Sequence, residues 1–429
     1  MEPYELIDPA TLGEVVAFEE IDTLNLGPEA VNDLIAQTGF KNAPKMQYGS
    51  RVFRFRYTTQ DRGDRTEATA MLGVPANVDL PDAELPSALF LHGTTGFSDP
   101  CSPGRSLDGQ APAALMAALG FVGVLPDYIG MNSFGAASTH SHGYLVGEQV
   151  AIGSWDALRA GLKLVKKLGL GVKVSSKTII WGGSQGGHSA LFTELYGPYY
   201  APEFEVPGVV ALVAPTTLPP LVDAAVTSFS PPTMSFAAVL ATMREWYGEP
   251  ANLSAILTDV APYNFASTMR DQILRTEKCD TGARYSSMGD QPEEQKVDVV
   301  YRQSFIDAVK QDRWTELEPW ACFFRENSLA TSSVQPKRAT PTFLIYSEKD
   351  NLVVTAPMRD EFTRLCASGY RFDYLECQDA AHTQGAVWSL SEQVAWIRER
   401  LEGKPLGDSA CTLQAPKCCS SSPADVCTP

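Results

Sequence analysis

No uninterrupted apolar stretch of the ~18 residues needed to span a bilayer occurs in the chain, which excludes an ordinary transmembrane helix. Basic residues are scarce: 34 Lys and Arg stand against 51 Asp and Glu, a formal charge of −17 at pH 7. Nucleic acids and anionic membranes call for basic patches, so neither is an expected partner. Histidine is rarer still, with five in 429 residues. Nine cysteines are present, yet no Cys-x-x-Cys occurs and Cys418 and Cys419 are adjacent, a poor pattern for a metal site. There is no internal repeat. The first residues, MEPYELIDPATLGE, lack both the basic region and the apolar stretch of a signal peptide.

What is present is ordinary for a folded protein: 44% hydrophobic and 20% charged residues. The length is too great for one simple core and suggests a large domain with an insertion, or two domains. Four cysteines (411, 418, 419 and 427) fall among Pro, Ser and Thr near the C-terminus, the only low-complexity piece, where little core exists to hold the backbone. Disulfides in an exported protein fit that placement. The expectation is a mature secreted or periplasmic form whose signal has been removed. An odd cysteine count leaves at least one free thiol or an intermolecular bond.

Val52–Thr58 and Thr66–Val74 alternate apolar and polar residues around the turn Gln60–Gly63, which predicts an opening hairpin. Short apolar runs then alternate with helix-length stretches. Pro86–Leu91 precedes Ala111–Leu119, Phe121–Leu125 precedes Gly147–Lys167, and Thr178–Trp181 precedes His188–Leu195; Val209–Val213 ends the series. This rhythm predicts a mostly parallel α/β sheet. It breaks from about Pro215 to Lys337, where Ser235–Tyr247 and Gln295–Lys310 have helical spacing. It resumes with strand Pro341–Tyr346, helix Ala356–Ala367, strand Tyr370–Leu375 and helix Gly385–Leu401. The expected organisation is therefore an N-terminal segment (1–50), a first core part (51–214), a helical cap (215–337), a second core part (338–404) and a Cys-rich tail (405–429).

One serine, Ser184, lies between Gly182 and Gly186 where a strand should end and a helix begin. A nucleophile elbow needs this context, because the turn is too tight for large neighbours and the side chain points off the carboxyl edge of the sheet. A hydroxyl attacks only when a base takes its proton, and the base must be oriented by an acid; here the expected chain order is Ser, acid, His. Of the histidines at 92, 140, 142, 188 and 382, only His188 and His382 follow Ser184. His188 belongs to the serine's own helix and points along it, which leaves His382, in the loop between the last strand and the last helix. Asp350, in the turn after Pro341–Tyr346, is the expected acid, with Glu348 as rival and Asp379 a distant third. The run Leu91–Gly96, LHGTTG, follows a strand where one oxyanion donor is supplied, and the residue after the nucleophile gives the other. Thr94 and Gln185 are thus the expected backbone donors.

Taken together, LHGTTGFSDPCSPG (91–104), LPDYIGM (125–131), GYLVGEQVAIGSWDALRAG (143–161) and GGSQGGHSAL (182–191) resemble the secretory lipase family. The resemblance runs over about 85–400 and is most specific from 91 to 191. It implies an α/β-hydrolase fold with a helical cap, carboxylic-ester hydrolysis by Ser184, Asp350 and His382, and neither metal nor organic cofactor. It also implies a bridge from Cys101 to Cys279, tying the oxyanion loop's continuation to the cap; the other pairings stay open. The expected substrate is a small-molecule, lipid or polymer ester. A polysaccharide deacetylase or polyester hydrolase on the same triad is the alternative, with a serine peptidase, an acyltransferase or a non-catalytic binding protein behind it. The cap aromatics Phe229, Phe236, Trp246, Tyr247, Trp314, Trp320 and Phe324 are each read as cap core before acyl-chain lining.

Overall fold

Short apolar runs without polar alternation set the centre of the fold. In the computed structural model, which describes residues 4–37, 42, 44–76, 84–274, 279 and 296–423, they form the inner strands of a nine-stranded sheet. In chain order these are β1 (Val15–Glu20), β2 (Gly49–Asp61), β3 (Asp64–Ala76), β4 (Glu84–Leu91), β5 (Val122–Pro126), β6 (Lys173–Gly183), β7 (Val209–Leu212), β8 (Thr342–Ser347) and β9 (Phe372–Cys377). Their spatial order is β1-β2-β3-β5-β4-β6-β7-β8-β9. The first three strands pair antiparallel, β3 meets β5 antiparallel, and the six from β5 to β9 run parallel. β5, β7 and β8 are buried at every position, so they read as continuous apolar runs.

The hairpin turn is tighter than Gln60–Gly63. Gln60 and Asp61 still pair with Arg65 and Asp64, leaving only Arg62 and Gly63 at φ 52° and 80°. Positive φ at both central residues gives the turn the twist of its strands. β1 carried no readable signal: it is a half-exposed edge strand whose register shifts between Val15 and Ala17.

Helices cover both faces of the sheet. Before the cap they are α1 (Pro28–Gln37), α2 (Leu107–Ala118), α3 (Gly147–Leu168) and α4 (Gln185–Tyr200). The cap, inserted between β7 and β8, contributes α5 (Pro219–Thr227), α6 (Pro231–Tyr247), α7 (Phe265–Leu274), α8 (Val297–Val300), α9 (Gln303–Lys310) and α10 (Trp320–Glu326). After it come α11 (Thr355–Ala367), α12 (His382–Trp388) and α13 (Leu390–Leu401). One face is covered by α3, α4 and α11, whose Leu158, Phe192 and Phe362 are fully packed; the other is covered by α2 and α13 through Met116 and Ile397. The α3 stripe ends at Gly169, a left-handed C-cap at φ 61°, just after Lys166 and Lys167. Gly73 of β3 is required because α2 passes so close that a Cβ there would sit 2.0 Å from the Ala113 carbonyl oxygen.

The cap has a core of its own. Phe236, Trp246, Tyr247, Trp320 and Phe324 are buried in it, and Phe229 and Trp314 pack on its margin. α6 begins four residues before the expected Ser235, because Ser230 and Thr233 close a capping box and Pro231 and Pro232 suit its first turn. The expected helix from Gln295, a position outside the described residues, is instead two short ones separated by extended backbone at Tyr301 and Arg302.

Cys101 and Cys279 are bonded, joining the loop after β4 to the cap across 178 residues of sequence. Cys366–Cys411 and Cys377–Cys419 fasten the C-terminal segment along β9. There Lys417 donates to Glu376 O and Gln378 donates to Lys417 O, so the segment covers what would otherwise be an open sheet edge. Cys418 is also disulfide-bonded, Cys322 is a free exposed thiol, and Cys427 lies outside the described residues. Breaking the cap bridge with Cys279→Ser should lower unfolding free energy by about 2–5 kcal/mol in a denaturant titration. Non-reducing peptide mapping that finds Cys101 alkylatable in the folded wild type would remove the basis of that expectation.

Candidate active site

β6 is an interior strand, flanked by β4 and β7, and Ser184 follows directly at its carboxyl end. Its backbone has φ 57° and ψ −120°, a positive-φ conformation that costs a non-glycine residue strain. The Ser184 N–H donates to Leu212 O of β7 at 2.8 Å, and its carbonyl accepts from Gly187 and His188 as α4 begins. The flanking glycines are steric requirements. A Cβ on Gly182 would lie 2.1 Å from Gly186 O, and one on Gly186 would lie 1.9 Å from Leu91 O. The turn is held by neighbours on three sides, which is how the strained angle persists.

Because β6, β7, β8 and β9 are parallel, the loops after β8 and β9 open on the same edge as Ser184. Asp350 stands three residues past β8, and His382 five past β9. His382 Nε2 is 2.8 Å from Ser184 Oγ, and His382 Nδ1 is 2.7 Å from Asp350 Oδ2. The second Asp350 oxygen accepts the Leu352 and Val353 N–H groups, each at 2.9 Å, which fixes the carboxylate plane. The Asp350 side chain is wholly buried and that of His382 is 13% exposed. His382 is not in a loop as expected but is the first residue of α12, whose start Gln384 secures by accepting the Ala381 N–H at 2.7 Å. The helix also begins earlier than Gly385 because that glycine packs on β8, where its N–H donates to Ser347 Oγ and a Cβ would lie 2.2 Å from that oxygen. The expected single last helix is broken at Ser389.

The rival acids are elsewhere engaged. Glu348 is exposed and accepts the Asp379 N–H at 2.8 Å, while Asp379 pairs with Lys349. His188 is fully buried with Nε2 3.0 Å from Asn327 O, and desolvation pushes it down to about 4, so it stays neutral at pH 7.

Thr94 and Gln185 both border Ser184. Gln185 opens α4, whose first N–H groups have no partner within the helix. Gly93 brings the preceding loop against the elbow, with a built Cβ 3.7 Å from that of Ser184. Two cavities meet at the serine. One, about 470 Å³ with its solvent-open part, runs under the cap between Tyr144, Leu145, Leu221, Pro232, Phe236 and Val239. The other, about 1200 Å³ with its solvent-open part, is bordered by Thr94, Val213, Leu352, His382, Ala386 and Val387. Among the described residues no group of three His, Cys, Asp or Glu side chains is placed to hold a metal ion. Two residues that sequence reasoning passed over touch the expected oxyanion donors: Tyr144 through Thr94 and His142 through Gln185. The available signal was their position in the turn before α3; it was missed because His142 precedes Ser184 and was weighed only as a base.

The secretory lipase family model matches residues 111–240, from α2 through the elbow and into α6, which bears out the resemblance. No curated protein matches the chain by sequence. Among solved structures, the rice cell wall degrading esterase LipA from Xanthomonas oryzae is similar with a TM-score of 0.73 at 18% identity, over 92% of this chain and 99% of that one. A putative hydrolase from Legionella pneumophila gives 0.71 at 19%, over 92% and 100%. Candida antarctica lipase A gives 0.67 at 16%, over 99% and 90%. The fold is that of the α/β-hydrolases.

Proposed function

We propose that this chain, a carboxylic-ester hydrolase resembling the secretory lipases, works through an acyl-enzyme on Ser184 and binds its acyl group beneath the cap. The observation that carries the reading is the hydrogen-bonded line from Ser184 Oγ through His382 to Asp350. His382 Nε2 takes the serine proton as Oγ attacks the ester carbonyl carbon. Asp350 holds the ring in the tautomer that leaves Nε2 free and stabilises the imidazolium that forms. Collapse of the tetrahedral intermediate expels the alcohol, which receives that proton from His382. Water then repeats the sequence on the acyl-enzyme and releases the acid. The N–H groups of Thr94 and Gln185 receive the negative charge on the carbonyl oxygen. Three disulfides of known pairing and the family likeness fit an extracellular protein, and among the described residues no helix is long and apolar enough to cross a membrane.

The mostly apolar lining of the cavity under the cap favours medium acyl chains as the substrate class. At about 0.8 kcal/mol per buried methylene, four extra carbons contribute roughly 3 kcal/mol, more than a hundredfold in kcat/KM if all of it is realised in the transition state. We expect esters of about six to twelve acyl carbons to exceed acetate in kcat/KM, measured below the aggregation threshold of each substrate, and Val239→Trp to erase that advantage by filling the cavity. If acetate is best and activity falls steadily with chain length, the cap is a lid over a small-ester pocket. A second reading, a polyester hydrolase, is favoured by the cavity's opening to solvent and by Val387, 39% exposed at its border. Release of soluble acid from a polyester film would support it. A polysaccharide deacetylase wants an open polar pocket, whereas most residues lining these two cavities are apolar.

A further inference from the structure

Four aromatic or imidazole rings that the triad does not use stand in one continuous file behind the oxyanion side. His92 and Tyr128 have centroids 4.2 Å apart, Tyr128 and His142 stack at 5.4 Å and 10°, and His142 meets Tyr144 edge-on at 6.2 Å. Phe97 closes the far end against Tyr144 at 5.1 Å. Both ends of the file touch the elements that carry the expected oxyanion donors. Tyr128 donates its hydroxyl to His92 O at 3.0 Å, holding the start of the LHGTTG loop. His142 Nε2 lies 2.7 Å from the Gln185 side-chain nitrogen, and Tyr144 OH lies 2.8 Å from Thr94 Oγ1. A Cβ on Gly130 would sit 2.1 Å from the His142 backbone nitrogen, so the segment after Tyr128 and the segment carrying His142 are in direct backbone contact.

We infer that Thr94 supplies a side-chain hydroxyl to the oxyanion in addition to its N–H, and that Tyr144 is the positioning residue that aims it. This rests on the ester-hydrolase reading above. The two hydroxyls share one hydrogen bond, and the phenol is the stronger acid, so Tyr144 donates and Thr94 Oγ1 accepts. Thr94's own O–H is then free, and Thr94 borders the cavity that contains Ser184 and His382. Burial pushes the Tyr144 phenol up, so it keeps its proton and remains a donor throughout the neutral range. Burial, with His92 adding to it, pushes His142 down to about 3; neutral, its Nε2 accepts from Gln185 and steadies the first turn of α4. A donor held ready at the place where charge develops adds to the rate and not to ground-state binding.

Kinetics of Thr94→Val, Thr94→Ser, Tyr144→Phe and the Thr94→Val/Tyr144→Phe double variant on p-nitrophenyl butyrate test this. Thr94→Val should lower kcat by about a hundredfold, the usual effect of losing one oxyanion donor. KM should stay within about twofold, and Thr94→Ser should recover most of the loss. Tyr144→Phe should lower kcat by about tenfold, and the double variant should be no worse than Thr94→Val alone, because the phenol acts only through that hydroxyl. The inference is overturned if Thr94→Val keeps wild-type kcat, or if the Tyr144→Phe loss persists undiminished in the Thr94→Val background. A purely structural role for Tyr144 would lower thermal stability and raise KM without that coupling. Should Tyr144→Phe fail to fold, the contrast between Thr94→Val and Thr94→Ser decides the hydroxyl's role by itself. Ser184→Ala separates the two levels: an inactive Ser184→Ala with a fully active Thr94→Val defeats only the present inference, whereas an active Ser184→Ala defeats the ester-hydrolase reading beneath it.

Discussion

His382→Ala and Ser184→Ala should each lower ester turnover by on the order of 10⁴–10⁶-fold, with circular dichroism and thermal midpoint close to wild type. The two changes remove parts of one proton-transfer line, so the double variant should be no slower than either single one. What activity survives would come from the proposed oxyanion donors and from substrate binding. No nearby group can replace His382. His188, the other histidine on the C-terminal side of Ser184, is fully buried, held on Asn327 O and stacked on Phe192 at 4.5 Å. A His382→Ala variant keeping a tenth of wild-type turnover would mean that the base is a different residue.

The acid should separate just as sharply. Asp350→Asn keeps the shape of the side chain but can present an N–H where His382 Nδ1 needs an acceptor. That favours the tautomer with its proton on Nε2, which cannot take another from Ser184. The expected loss in kcat is about 10⁴-fold. Glu348→Gln should stay within about twofold of wild type, since Glu348 is exposed and bonded to the Asp379 backbone. Equal losses from the two substitutions would leave the acid unassigned; a larger loss from Glu348→Gln would reverse the assignment.

Much of this arrangement was legible before any coordinates, for reasons that differ from residue to residue. The parallel strands could be read because burial on both faces leaves only apolar residues, as in Val209–Leu212. The elbow could be read because Gly182 and Gly186 have no room for a side chain. His382 and Asp350 were reached by elimination and chain order, which works where histidine is rare. The rest depended on contacts that leave no local pattern. Edge strand β1 is half exposed and shifts register, so no alternation marks it. The early start of α12 depends in part on Gly385 packing against Ser347 of β8, a contact remote in sequence. The C-terminal segment looked like a tail with little core to hold it, yet two bridges and a backbone pairing at Lys417 lay it along β9. Tyr144 and His142 escaped notice because a ring buried beside a site has the same sequence signature as a ring in any core.

The central claim is that Ser184 is an activated nucleophile, and covalent labelling tests it with no assumption about the natural substrate. The folded protein should be treated with a fluorophosphonate at neutral pH, digested, and mapped by mass spectrometry. The account predicts one phosphonyl adduct per chain, on the peptide containing Ser184, formed within minutes and lost in both Ser184→Ala and His382→Ala. An unlabelled Ser184 in folded wild-type protein, or an adduct that forms equally fast without His382, would contradict it.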